Sequence, residues 1–387
     1  MNLFSPKPSI MEIYPIRNTS LILLILLISA CSPVNPKTIP LKEAFKEKFY
    51  IGVAMNGPQV AGIDSVSRDI IEMNFNAAVA ENCMKSGPIH PEENTYNFEL
   101  SDKFVDFCTG NGLYTVGHCL VWHSQAPSWF FTDDAGNEVS REVLIERMKA
   151  HITTVVGRYR GRVDCWDVVN EAFEDNGQWR QTRFYEIIGE EYVDLAFTFA
   201  NEADPEAELL YNDYAMALPA KREAVVTLVN HLKSAGKRID GIGMQSHCGL
   251  DYPSLEEYEK SIIAFAGTGL DIHITELDVS VLPLPENQTG ADVSTDYRYQ
   301  SIFNPYPNEL PDSIEHALTD RYHDLFSIYL NHKDNIKRVT LWGLCDCHSW
   351  RNNWPIRGRS DYPLLFDRDC NEKPVIQDII ELSEKKQ

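Results

Sequence analysis

The chain predicts a closed (β/α)8 barrel of the TIM type, an α/β fold made as one domain, and three observations carry that reading. Eight short runs rich in Val, Ile and Leu alternate with longer helix-patterned segments from residue 50 onward. The runs are continuous in their apolar character, as strands covered on both faces require. Polar residues capable of chemistry gather where the runs end, and in a barrel those ends share one rim. An open doubly wound sheet would need Gly-x-Gly-x-x-Gly after an early strand, which the turn Asn56-Gly57-Pro58 does not supply.

The predicted strands are Tyr50–Met55, Phe75–Glu81, Tyr114–Trp122, Val163–Glu171, Glu208–Asp213, Gly241–His247, Leu270–Val279 and Arg338–Leu344. Helical spacing falls between them, for instance through Val143, Arg147, Met148 and Val155, and through Tyr192, Leu195, Ala196 and Phe199. At 387 residues the length would allow more than one domain, but barrels of this kind run past the average as one unit and no internal linker is visible.

With 35 Lys+Arg against 57 Asp+Glu, the net charge of −22 excludes a nucleic-acid partner, because phosphate recognition needs a clustered basic surface. A neutral or cationic partner fits better.

The N-terminus has the anatomy of an export signal. Leu21 to Ile28 is an unbroken apolar run preceded by Arg17 and followed by Ser29-Ala30-Cys31. It is too short for the roughly 20 apolar residues of a membrane-spanning helix. Ile28-Ser29-Ala30-Cys31 resembles a bacterial lipobox, which implies cleavage before Cys31 and acylation of that residue. Residues 1–30 are therefore expected as a lipoprotein signal peptide, with Met11 as a sufficient start, and residues 31–40 as the acylated Cys and a short Pro-containing spacer. Residues 41–387 form the barrel. The expected location is the cell envelope, tethered to a bacterial membrane by acyl chains.

Eight further cysteines, Cys83, Cys108, Cys119, Cys165, Cys248, Cys345, Cys347 and Cys370, show no zinc spacing, and most read as small buried hydrophobes. Their pairing stays open.

The strand ends carry the chemistry. In order they present Glu81-Asn82 with Lys85 beyond, His118 and then Trp122-His123-Ser124-Gln125, Asn170-Glu171, Asn212-Asp213, Gln245-Ser246-His247, Glu276-Leu277-Asp278, and Trp342 leading to Asp346 and Trp350. A nucleophile elbow, a phosphate loop and a dinucleotide fingerprint are all missing from the sequence. His118, His123 and His247 are metal-ligand types, but the amides, Lys and Trp between them suit a hydroxyl-rich ligand, so no metal and no cofactor are expected. Two carboxylates, Glu171 and Glu276, in a bowl of tryptophans and amides suit a sugar polymer: ring faces stack on aromatics, hydroxyls pair with amides, and cleavage takes two carboxyl groups.

At these residues the chain resembles the family 10 glycoside hydrolases, the endo-β-1,4-xylanases. The matching stretches are Trp166-Asp167-Val168-Val169-Asn170-Glu171-Ala172, Ile274-Thr275-Glu276-Leu277-Asp278 and Gly117-His118-Cys119-Leu120-Val121-Trp122-His123-Ser124-Gln125. Glu81-Asn82-Cys83-Met84-Lys85, Tyr211-Asn212-Asp213-Tyr214, Gly243-Met244-Gln245-Ser246-His247 and Trp342-Gly343-Leu344 extend the match in order. The resemblance implies that Glu171 is the acid/base and Glu276 the nucleophile of a retaining mechanism. It implies that Asn170 meets the sugar 2-hydroxyl, and that His247 orients Glu276 with Asp278 behind it. Gln245 falls next to the reacting centre. Glu81, Asn82, Lys85, His118, Trp122 and Gln125 match the glycone-side binding set, and Trp342 and Trp350 its aromatic walls.

The chain departs from that pattern at Cys119, where Thr is common, at Ala215, where Asn is common, and at Cys345-Asp346-Cys347-His348, where Thr-Asp-x-Asp is usual. Asp213, by its place after a strand, also reads as a helix cap. The long segment 280–312, with Tyr297, Tyr299, Phe303 and Tyr306, follows the seventh strand and reads either as a self-packed surface loop or as added wall.

The expectation is a monomeric, lipid-anchored enzyme acting on internal bonds of xylan and on xylo-oligosaccharides. A barrel acting on β-glucan or aryl cellobiosides, and a surface glycan-binding protein without turnover, are the alternatives. The presence of both Glu171 and Glu276 weighs against the last.

Overall fold

The computed structural model describes residues 39–285, 298 and 300–386. The expected signal, Cys31, nearly all of the spacer, and Tyr297 and Tyr299 lie outside the described residues. The described residues hold nine parallel strands: β1 Tyr50–Met55, β2 Ala77–Ala80, β3 Tyr114–Trp122, β4 Cys165–Asn170, β5 Glu208–Asp213, β6 Gly241–Met244, β7 His247–Gly249, β8 Asp271–Ser280 and β9 Ile336–Leu341. Eight of them close the barrel, since β1 pairs with both β2 and β9 and β6 pairs directly with β8. The predicted sixth strand is split: Gln245 and Ser246 break it, and β7 continues along β8 with His247 opposite Asp278.

Each barrel strand leads into a helix: Ser65–Asn74, Glu99–Gly110, Arg141–Tyr159, Glu191–Ala203, Pro219–Ser234, Leu255–Ala266, Asp312–Asn331 and Pro374–Lys385. Strand alternation sorts side chains into two cores. On β1, Ile51, Val53 and Met55 face the helix layer, while Ala54 joins Val79, Val116, Cys165, Leu210 and Trp342 inside the barrel.

The helix at 141–159 starts where Ser140 caps the Val143 N–H. Its buried stripe is Leu144, Met148, Ile152, Val155 and Tyr159, whereas Val143 is exposed and Arg147 half-buried. The stripe read from sequence was therefore out of phase at its start, because Val143 is apolar and Arg147 carries a long aliphatic stem.

Six of the eight described cysteines are buried and none is disulfide-bonded. Most are thus buried as expected, and the sulfurs of Cys345, Cys347 and Cys370 gather in one place. Of the 280–312 segment, the described part is pinned to residues 360–362: Asn304 Oδ1 accepts from the Ser360 N–H at 3.0 Å, and Tyr362 Oη donates to the Tyr306 carbonyl at 3.0 Å.

Candidate active site

The C-terminal rim of the barrel opens into a cleft lined by Glu81, Asn82, Lys85, His118, Trp122, Gln125, Asn170, Glu171, Gln245, His247, Glu276, Trp342 and Trp350. Thus every residue to which the resemblance gave a catalytic or sugar-binding role lines this one cleft except Asp278, which is wholly buried behind His247. The rim backbone is bent to aim these groups. Gln125, Glu171, Ala215 and Ser246 have φ of 55, 59, 50 and 65°, the left-handed region that non-glycine residues seldom occupy. Such outliers concentrate where surrounding structure holds a functional group in place.

Glu171 follows β4 and is almost fully buried. Its Oε2 accepts from Trp122 Nε1 at 2.8 Å, and its Oε1 from Gln245 Nε2 at 2.9 Å and Asn170 Nδ2 at 3.2 Å. Burial, aided by the charge of Glu276, pushes the Glu171 carboxyl above its ordinary value, and the hydrogen bonds only partly offset this.

Glu276 projects from β8, equally buried. Asn212 Nδ2 donates to its Oε1 at 2.9 Å, and His247 Nε2 lies 3.3 Å from its Oε2. Burial would raise this carboxyl, but the His247 contact, the charges of His118 and His247 and the Asn212 hydrogen bond outweigh it and hold Glu276 below its usual range. Two carboxyl groups in one cleft are thereby driven in opposite directions.

Support for this arrangement lies one layer out. His247 Nδ1 faces Asp278 Oδ1 at 3.1 Å. Burial works against charge on His247, yet Asp278 and Glu276 prevail and raise it above its ordinary value. Asp278 also takes Arg351 Nη2 at 3.0 Å and Trp350 Nε1 at 2.7 Å. Although burial opposes it, Arg351 and His247 pull Asp278 down to about 2. His118 Nδ1 pairs with Asp167 Oδ2 at 2.8 Å. His118 and His247 thus each serve a carboxylate.

On the far wall Lys85 Nζ meets Asn82 Oδ1 at 3.0 Å and lies over the Trp122 ring, 4.9 Å from its centre. Burial raises the Glu81 carboxyl despite the nearby Lys85 charge. Trp350 stacks on Trp354 with centroids 4.6 Å apart. Ala215 lines a second, largely apolar pocket of about 260 Å3 that shares His247 with the cleft and is bounded by Met216, Pro219, Tyr252 and Tyr258. Asp213 is neither cap nor site group: it is buried against Lys221 Nζ at 2.8 Å.

Two residues escaped the sequence reading. Asn212, visible only as a polar strand end, gives one amide hydrogen to Asn170 Oδ1 at 2.9 Å and the other to Glu276. Its own Oδ1 accepts from Thr275 Oγ1 at 2.7 Å. Gly243 leaves room for it, since a Cβ there would stand 2.4 Å from Asn212 Oδ1. Arg351 had no signal except its position beside Trp350, because its partner lies 73 residues away in sequence.

A (β/α)8 barrel whose rim holds an oppositely biased carboxylate pair among tryptophans and amides has the architecture of a glycoside hydrolase. The chain belongs to glycosyl hydrolase family 10, whose model matches residues 40–382. It is 50% identical over 362 residues to endo-1,4-beta-xylanase A of Xylanibacter ruminicola, covering 94% of this chain and 97% of that protein. It is 39% identical over 345 residues to an endo-1,4-beta-xylanase of Geobacillus stearothermophilus, covering 88% and 98% respectively. Among solved structures, a GH10 endoxylanase retrieved from sugarcane soil metagenome superposes with a TM-score of 0.87 at 45% identity, over 88% of this chain and 99% of that one.

Proposed function

We propose that the protein is an endo-β-1,4-xylanase that cleaves internal bonds of xylan with retention, Glu276 acting as nucleophile and Glu171 as acid/base. The observation that carries these roles is the opposite bias of the two carboxyls, Glu171 up and Glu276 down. Family membership and the xylanases among its relatives support the substrate class.

In the first step the ionised Glu276 attacks the anomeric carbon while protonated Glu171 gives its proton to the departing sugar oxygen. Once Glu276 is esterified its negative charge is gone, and with it one of the influences that raise Glu171. Glu171 then loses its proton more readily and acts as base on the incoming water. Asn212 and His247 steady the Glu276 carboxylate before attack and after release. Asn170, bonded directly to Glu171 and linked to Glu276 through Asn212, meets the 2-hydroxyl of the sugar being cleaved. Water alone completes the reaction, without a cofactor.

We further infer that residues 1–30 direct export and that Cys31 carries the lipid that holds the enzyme in the cell envelope, where a polymer too large to be imported is accessible. The lipobox-like Ile28-Ser29-Ala30-Cys31 supports this. The function is tested by reducing-sugar release from xylan, β-glucan and mannan. Release from xylan alone or far ahead of the others is expected; equal release from β-glucan would make the glucanase reading better, and none from any would leave a glycan-binding protein.

A further inference from the structure

Just past β9, where the chain departs from the family pattern, three sulfurs converge without a part in the chemistry above. Cys345 Sγ lies 3.1 Å from Cys347 Sγ and 3.0 Å from Cys370 Sγ, and His348 Nδ1 stands 3.2 Å from the same Cys345 sulfur. The ligand atoms of the three cysteines all lie within 4.8 Å of one another, and theirs is the single such group among the described residues. Cys345 is fully buried, whereas Cys347 and Cys370 are half-buried, so the cluster has an open side. The backbone brings these residues together. Cys345 bridges Phe366, and a turn closed by Asp367 places Cys370, at φ 63°, back against Cys345.

We propose that Cys345, Cys347 and Cys370 form a thiolate site for a soft divalent cation of the zinc class, with the exposed His348, which meets only Cys345 and stands outside the 4.8 Å group, swinging in to complete a tetrahedral shell. Three sulfurs and an imidazole are the donors such an ion selects. Around a tetrahedral ion with metal–sulfur bonds of about 2.3 Å, neighbouring sulfurs stand about 3.8 Å apart, so the pairs touching Cys345 open by less than about one ångström to admit it. A disulfide would use two sulfurs and leave the third thiol and the imidazole facing the bond. Binding releases the thiol protons to solvent. Because the thiolate is the ligating form, the ion competes with protons and affinity rises with pH.

The ion would tie the 367–370 turn to the loop that presents Trp350 to the cleft. It is a structural clamp on that wall, and its presence is measured independently of hydrolysis.

The test is metal analysis of the full-length protein as purified, followed by titration of the reduced, metal-free protein with Co2+. Stoichiometric zinc, and a cobalt complex with intense near-ultraviolet thiolate-to-metal absorption and tetrahedral visible bands, are expected. Cys347→Ser and Cys370→Ser should lose both signals, and His348→Ala should keep the thiolate absorption while changing the visible bands. A wild-type cobalt spectrum without thiolate absorption, unchanged binding in both serine variants, or peptide mapping that finds Cys345 joined in a disulfide in zinc-free protein would overturn the site. An unchanged spectrum in His348→Ala would remove His348 from the shell. The wild-type spectrum requires no variant to fold.

Discussion

Asn212 and Glu276 are joined by a 2.9 Å hydrogen bond from an amide that spends its other hydrogen on Asn170. One buried side chain therefore contributes both to the charge state of the proposed nucleophile, behind His247 and His118, and to the position of the residue proposed to meet the sugar. A hydrogen bond to a charged group is worth about 1.5–3 kcal/mol. Asn212→Ala should lower kcat/KM by roughly 10- to 100-fold, and because the lost bond favours the carboxylate, the acid limb of the pH profile should move to higher pH. An acid limb that stays in place would show that Asn212 does not act on Glu276.

The pH dependence has a definite sign. In the proposed mechanism Glu276 must be ionised, so activity is lost as pH falls through its lowered pKa; Glu171 must be protonated, so activity is lost as pH rises through its raised one. The two limbs belong to a coupled pair. Gln245 favours the ionised form of Glu171 through its 2.9 Å bond. Gln245→Ala should therefore extend the basic limb upward while leaving the acid limb where it was. Rate profiles of kcat/KM across pH for the two proteins check this, and a basic limb that moved down would contradict it.

In the proposed xylanase, discrimination between xylose and glucose would rest on room for one hydroxymethyl group. Gln125 and Trp350 both line the cleft, and Trp350 is locked by its bond to Asp278, its stack on Trp354 and the Arg351 guanidinium 4.9 Å from its ring centre. A wall this fixed selects by clash. Trimming it with Gln125→Ala or Trp350→Ala should narrow the xylobioside-over-cellobioside ratio in kcat/KM by about 1–3 kcal/mol, the range of one ill-fitting carbon. Ratios that do not change would place the wall elsewhere.

The proposed location depends on a thiol. Cys31→Ala removes the atom that acylation needs, so labelled palmitate should enter the wild-type protein and not the variant. Equal labelling of the two would end the lipoprotein reading.

Much of the fold was legible because parallel strands covered on both faces write themselves as apolar runs: Tyr50–Met55, Tyr114–Trp122 and Glu208–Asp213 are the observed strands to the residue. The split after Met244 was not, since Gln245 and Ser246 look like a polar strand end whether or not the chain resumes pairing at His247. The cleft was legible for a similar reason, as its groups sit at strand ends that a barrel must gather on one rim. Arg351 and the cysteine cluster were hidden because their contacts are made by tertiary closure. Cys370 reaches Cys345 across 25 residues only when Phe366 bridges back to the loop after β9. Asn212 was seen but given no role, because nothing local says which hydrogen of an amide meets which carboxylate.

The central claim is that Glu276 forms a covalent bond to the sugar. A 2-deoxy-2-fluoro xylobioside with a good leaving group slows hydrolysis of the glycosyl-enzyme enough for it to accumulate, and peptide mass spectrometry then locates the sugar. The account predicts a xylobiosyl ester on Glu276, together with β-anomeric product from unmodified substrate by early proton NMR. An ester on another residue, or no adduct with α-anomeric product forming first, would contradict it.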